Sequence, residues 1–298
     1  MTELVITRRC VAVTIGIIGI GLLTGLALKT QPLACEARPP ARGQDPRGSV
    51  KLRPDGMPVN FPFREPNSMD FNDHKGYVSL FDGKDLKGWS GDPSVWSVKN
   101  GEIVGVSTKA DPKHSYLVYR GLVAKNFNLK VVAMVKEGGG SGVQYRSKIG
   151  RPWSGKGKPP VSNMNWWMTG PQCDFWFPVP PYAPVFTGQL YSENTPLGII
   201  AWRGQVVQMA PGDTPTLVAN IGNRTALGGY VKVDDWNQFL IIARGSTIVQ
   251  IVNGQLMSVL VDDNPNDSNN QPGMIGIEIE SAPCIVSVRS IWIRKVSY

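Results

Sequence analysis

The stretch TIVQIV-NG-QLMSVL, Thr247 to Leu260, constrains this chain more than any other. Asn253 and Gly254 both tolerate the positive φ that a type I′ turn demands, and they stand between two β-rich runs. The stretch therefore predicts a two-residue β-hairpin. WNQFLIIAR precedes it, and MIGIEIE and CIVSVRSIWIRKV follow. Upstream, VSLF, SVWSV, EIVGV and SYLVY come one after another, and FNLKVVAMV places Phe127, Leu129, Val131, Ala133 and Val135 on one side of a period-2 alternation. With 33 Gly and 24 Pro to turn the chain, these short runs predict many strands and no long helix. That pattern belongs to an all-β sandwich or barrel. No repeat of fixed period interrupts it.

The first residues are of another kind. Arg8 and Arg9 precede a run from Val11 to Leu28 that is apolar apart from Thr14 and Thr24. This is the pattern of an export signal or an N-terminal membrane anchor. At about 18 residues the run is just long enough to span a bilayer once, so both remain open. Either implies an exported protein, periplasmic or extracellular, with a membrane tether if the segment stays. Residues 1–35 are assigned to this segment. Residues 36–75, rich in Pro, Arg, Asp and Asn, form a linker, and 76–298 form the domain. Part of the formal charge of +8 sits in Arg8, Arg9, Lys29, Arg38, Arg42 and Arg47; nucleic-acid binding would need a clustered basic face, and the export segment argues against it. An oxidising compartment would permit Cys173 and Cys284 to pair, with two buried thiols as the alternative. No C-x-x-C occurs, which excludes a thiolate zinc site.

Only two His residues, His74 and His114, are present, and nothing near either suggests a nucleophile–His triad. EGGGSG has no following Lys-Ser/Thr, so it is no phosphate cradle. Carboxylates, amides, Arg and aromatic rings remain, which is the equipment of a carbohydrate site. They recur at i, i+2 spacing in three places: Gln144 and Arg146 in SGVQYRS, Gln172, Asp174 and Trp176 in PQCDFWF, and Gln189, Tyr191 and Glu193 in TGQLYSEN. The Gly/Pro-rich segment from Lys148 to Pro184, carrying Trp153, Trp166, Trp167 and Trp176, is expected to form functional loops beside them.

At these residues the chain resembles the 3-keto-disaccharide hydrolase family. VSLFDGKDLKGW, VWSVKNGEIVG, NFNLKVVAMVKEGGGSGVQYRS, GPQCDFW, FTGQLYSEN, DDWNQFLIIARG and GMIGIEIESAPCIVSVRSIWIRKV match it in order, over about residues 76 to 298. The resemblance implies a concanavalin A-like jelly-roll β-sandwich and a hydrolase or lyase of carbohydrate metabolism that acts on 3-keto-glycosides. It implies Asp174 or Glu193 as base, Arg146 with Gln172 as oxyanion support, and Tyr191 or Glu280 as acid. Gln144, Trp166, Trp167 and Arg203 join Gln172 and Tyr191 as expected substrate contacts, and a divalent metal ion could polarise the ketone. The chain departs from the family where Glu278 and Glu280 stand in place of the common Gln and His. That departure keeps a non-catalytic carbohydrate-binding module of the same fold open. A retaining glycosidase would need two carboxylates about 5–5.5 Å apart.

Overall fold

Alternation of apolar and polar residues fixes which side of each strand is buried, and the computed structural model carries this through two facing sheets. It describes residues 54, 67, 69–136, 138–150, 166–177, 186–210, 212, 214–266, 268–280 and 283–297. The N-terminal apolar stretch, most of the linker and Trp153 lie outside the described residues. Among those described, no helix is long and apolar enough to cross a membrane. Ser68–Tyr298 form one compact unit.

In chain order the strands are β1 (Val78–Ser79), β2 (Trp89–Ser90), β3 (Trp96–Lys99), β4 (Glu102–Ser107), β5 (Ser115–Ala124), β6 (Phe127–Lys136), β7 (Gly139–Ile149), β8 (Met168–Phe177), β9 (Leu190–Glu193), β10 (Gly198–Ala201), β11 (Gln205–Met209), β12 (Pro215–Asn220), β13 (Asn237–Arg244), β14 (Thr247–Val252), β15 (Gln255–Asp262), β16 (Gly273–Glu280) and β17 (Cys284–Lys295). A short helix, α1 (Arg224–Gly228), precedes β13. One sheet has the order β12-β11-β15-β14-β13-β6-β17-β4-β3, with β1 also on β17; the other has the order β10-β9-β8-β7-β16-β5-β2. The expected sandwich is thus present. The predicted hairpin joins β14 to β15, with Asn253 at φ 50° and Gly254 at φ 80°.

The core lies between the sheets. Phe127, Leu129, Val131, Ala133 and Val135 of β6 meet Val143, Tyr145, Cys173, Phe175, Ile275, Ile277 and Ile279 from the second sheet. Since inward and outward residues alternate, the same strands turn Gln144, Gln172, Asp174, Glu278 and Glu280 to the outer face of that sheet. A smaller apolar cluster of Tyr116, Val118 and Met168, with Trp167 packed on it, lies apart from the main core. Cys173 is a buried thiol, so no bridge to Cys284 forms.

Residues just ahead of β1 are held on the other sheet by a buried cation. Lys130 Nζ donates to the carbonyls of Phe71 at 2.9 Å and Asp73 at 2.7 Å, and lies 4.6 Å from the centre of the Tyr77 ring. Burial lowers its pKa, and the carbonyls and the ring face supply the compensation that a desolvated ammonium needs.

One irregularity decides which residues share a face. The pairing of β7 with β8 shifts register between Gln144 and Lys148, and the pairing of β7 with β16 shifts between Met274 and Gly276. Arg146 lies within this bulge at φ 49°, which breaks the period of two. Gly273 packs directly on the Arg146 backbone, where a Cβ would collide with the carbonyl group. Gly273→Ala is expected to lower the unfolding free energy by about 1–3 kcal/mol. A urea midpoint that falls with unchanged m-value would show it; an unchanged midpoint would contradict this packing.

Candidate functional site

The outer face of the second sheet holds a cavity of about 180 Å3. Asp174 and Trp176 of β8, Tyr191 and Glu193 of β9 and Glu280 of β16 line it, with Gln172, Gln189 and His114. Strand register sets the rows: Gly142 of β7 is opposite Asp174 on one side and Glu278 on the other, and Tyr191 is opposite Gln172.

Gln172 ties these rows together. Its Nε2 donates to Asp174 Oδ1 at 2.7 Å and to Glu278 Oε2 at 2.8 Å. Its Oε1 accepts from Gln144 Nε2, and Gln144 Oε1 accepts from Ser147 Oγ at 2.7 Å. The bridge crosses β7 over Gly142, where any Cβ would occupy the space of the Gln172 amide. Gln189 Nε2 donates to the second oxygen of Asp174.

Burial is the largest influence on Asp174 and Glu193. It pushes Asp174 up to about 8, against the donors Gln172 and Gln189, which favour the ion. Burial and then the charges of Glu278 and Glu280 hold Glu193 well above the ordinary carboxylate range. Burial with the Glu193 charge pushes Tyr191 up to about 12. Tyr116 is buried against Glu278 and Glu193, and burial raises its phenol well above the ordinary value. Its hydroxyl accepts from Asn194 Nδ2 at 3.2 Å.

His114 Nε2 lies 2.7 Å from Glu278 Oε1, and Trp167 meets the imidazole edge-on at 4.8 Å between centroids. A ligand atom from each of His114, Glu193 and Glu278 falls within 4.8 Å of the others. One imidazole nitrogen and two carboxylate oxygens form a donor set suited to a divalent transition metal. Repulsion between Glu193 and Glu278 is a charge excess that a cation would relieve. The residues therefore fit the group.

The structure brings Asp174, Glu193, Glu280 and Tyr191 together, and places Trp167 beside His114. Other expected site residues lie elsewhere or are fully engaged. Arg146 donates to the carbonyls of Lys125 at 2.8 Å, Asn269 at 2.6 Å and Gly245 at 2.9 Å, because the bulge turns it away from the face of Gln144. Arg203 donates to the carbonyls of Arg224 at 2.8 Å and Thr187 at 3.0 Å. Burial, then the neighbouring Arg224 charge, lowers its pKa to about 10. Trp166 donates to Ser90 Oγ at 2.9 Å, outside the cavity. Gln172 lines the cavity and Gln144 lies behind it, and each uses both ends of its amide on neighbours. Sequence reasoning passed over His114, Glu278 as a site residue, and Phe186, which stacks on Trp176 at 4.8 Å. The Glu278-x-Glu280 alternation was a usable signal for the second of these. His114 gave none, since its partner is 164 positions away.

The family model of the 3-keto-alpha-glucoside-1,2-lyase-like domain matches residues 76–294. Among solved structures, a candidate glycosyl hydrolase from Parabacteroides distasonis ATCC 8503 is 17% identical, with a TM-score of 0.46 over 74% of this chain and 99% of that one. The carbohydrate-binding module CBM66 from Bacillus subtilis is 11% identical, with a TM-score of 0.40 over 70% of this chain and 96% of that one. No curated protein matches the chain.

The raised Asp174 pKa carries a stability cost with a definite sign. Between the ordinary value of 3.8 and about 8 the folded state keeps a proton that the unfolded chain has lost. Stability contributed by this group therefore falls as pH rises through that window. In the presence of a chelator, the melting temperature of Asp174→Asn minus that of wild type is expected to increase by roughly 10 °C or more between pH 4.5 and 8.5. A flat difference in thermal melts would contradict the burial penalty.

Proposed function

The chain belongs to the 3-keto-disaccharide hydrolase family, and from that premise we propose that it cleaves glycosides oxidised at C3. A ketone at C3 acidifies the proton on C2. Removal of that proton breaks C2–H, the electron pair forms a C1=C2 double bond, and the C1–O bond breaks with departure of the aglycone. Water then adds across the double bond, hydroxyl to C1 and hydrogen to C2. The observation that carries this reading is the convergence of Asp174, Glu193, Glu280 and Tyr191 on one concave cavity walled by Trp176 and Phe186.

Asp174 suits the base. A carboxylate held at about 8 is a stronger base than an ordinary one, and it titrates near working pH. Gln172 and Gln189 fix its two oxygens by hydrogen bonds. Tyr191, pushed up to about 12, stays protonated and can give its proton to the departing oxygen. Trp176 and Phe186 line the cavity, and aromatic rings there suit the C–H face of a sugar. Arg146 and Gln172 are committed to other partners and have no part in stabilising the enolate. His114, Glu193 and Glu278 would hold a divalent cation, which when bound supplies Lewis-acid polarisation of the ketone. Export, through the N-terminal apolar segment, is part of the same proposal and would place the reaction outside the cytoplasm.

Incubation with a p-nitrophenyl 3-keto-glucoside tests the proposal. Wild type is expected to release nitrophenol from the oxidised glycoside and not from the unoxidised one. Its kcat/KM should rise with pH towards a plateau above about 8. Asp174→Asn should lose at least about 100-fold. Binding of the glycoside without release would make the domain a carbohydrate-binding module instead, and full activity of Asp174→Asn would remove the residue from the mechanism.

A further inference from the structure

The aromatic wall of the cavity continues beyond it as a row of rings that ends in a cation. Trp176 and Phe186 line the cavity and stack at 4.8 Å between centroids. Trp202 follows at 5.8 Å from Phe186, and the Arg224 guanidinium lies over the Trp202 ring with Cζ 3.9 Å from its centre. All four residues are partly exposed. The row runs towards β10, the edge strand of this sheet: Ile199 of β10 lines the cavity, and Trp202 directly follows the end of the strand. Arg224 is fixed on this wall by its backbone. Buried Arg203 donates to the carbonyls of Arg224 at 2.8 Å and Thr187 at 3.0 Å, so one guanidinium holds the start of α1 against the segment that carries Phe186. Among the described residues the Trp202 ring is the partner of the Arg224 side chain, and no carboxylate pairs with it. A guanidinium laid on a ring keeps its N–H donors in its own plane, and their fork matches a carboxylate. After burial, the Arg224 charge lowers the pKa of Arg203. This end of the row thus carries a repulsion between cations that an anion would relieve.

We propose that Trp202 and Arg224 form an outer subsite for the leaving group of the substrate, and that this subsite selects a ring bearing a carboxylate. The proposal rests on the reading of the domain as a 3-keto-glycoside lyase. Charge sets the direction in which such a substrate lies. Asp174, Glu193 and Glu280 line the cavity and disfavour an anion there, so the uncharged oxidised sugar occupies it. The anionic end then lies along the rings towards Arg224. The steps from Phe186 to Trp202 and on to the guanidinium, 5.8 and 3.9 Å, make a length that one further ring and its carboxylate cover. A uronic acid and an aromatic acid both supply this chemistry, a carboxylate on a ring whose apolar face suits an aromatic wall.

The test measures aglycone release by the full-length protein from 3-keto-glucosides in two pairs. One pair has para-hydroxybenzoate or its neutral amide as leaving group, and the other has glucuronic acid or glucose. In at least one pair the wild-type preference for the carboxylate in kcat/KM should exceed that of Arg224→Gln by about 5- to 20-fold. Division by the variant's preference removes the intrinsic difference between the leaving groups. The excess should shrink as sodium chloride is added, because salt screens a partly exposed charge pair. The pair that shows it identifies the source of the carboxylate. Equal preferences in wild type and Arg224→Gln for both pairs, or an excess that salt leaves unchanged, overturns the inference. Arg224→Met, which keeps the apolar stem on Trp202, provides the same comparison if the Gln variant does not fold. If wild type releases nothing from any 3-keto-glycoside, the lyase reading fails by itself. Calorimetric binding of the same pairs, oxidised and unoxidised, to wild type and variant then decides the subsite: a preference for the acid that the variant loses supports it, and the lack of one overturns it.

Discussion

Gln172 lies across Gly142 and joins two acids on different strands, and the arrangement of the whole site depends on that bridge. Asp174 and Glu278 are both buried, and two carboxylates crowded in a dry environment repel each other unless donors stand between them. One amide nitrogen supplies both with a hydrogen. The amide can lie flat against β7 only because residue 142 has no side chain. Gln144 and Ser147 then fix the other end of the same amide. Side chains from three neighbouring strands are thereby locked into one geometry before any ligand arrives, which is the pre-organisation that catalysis by positioned groups requires.

A second constraint separates this polar face from the residues that support it. Strict alternation would put Arg146 beside Gln144. The bulge in β7 gives Arg146 a left-handed backbone and sends its guanidinium to three backbone carbonyls. The same chain segment thus supplies an amide to the site and a cation to the scaffold. Removing a guanidinium from the cavity face leaves that face with an excess of acid. The raised values of Asp174 and Glu193 follow mainly from burial, with the remaining acids adding to them.

Most of the architecture was legible in the chain, because local rules set it. The Asn253-Gly254 turn, the alternation in β6 and the outward Gln172, Asp174 and Trp176 all follow from period two and turn chemistry. The acids Asp174 and Glu193 could be read in the same way. Three features could not. The bulge at Arg146 depends on the close approach of Gly273 from a distant strand. The bond from His114 to Glu278 depends on the pairing of β5 with β16. Whether Gln144 and Gln172 face a ligand or each other depends on distances between strands, which no sequence spacing encodes.

The central claim is that bond cleavage proceeds through loss of the C2 proton. The most direct measurement uses a 3-keto-glucoside carrying deuterium at C2, with the isotope content of the released sugar followed by mass spectrometry against an enzyme-free control. The account predicts that deuterium passes to solvent at the rate of aglycone release and that C2 of the product carries solvent hydrogen. Release of the aglycone with the label retained at C2 would contradict it.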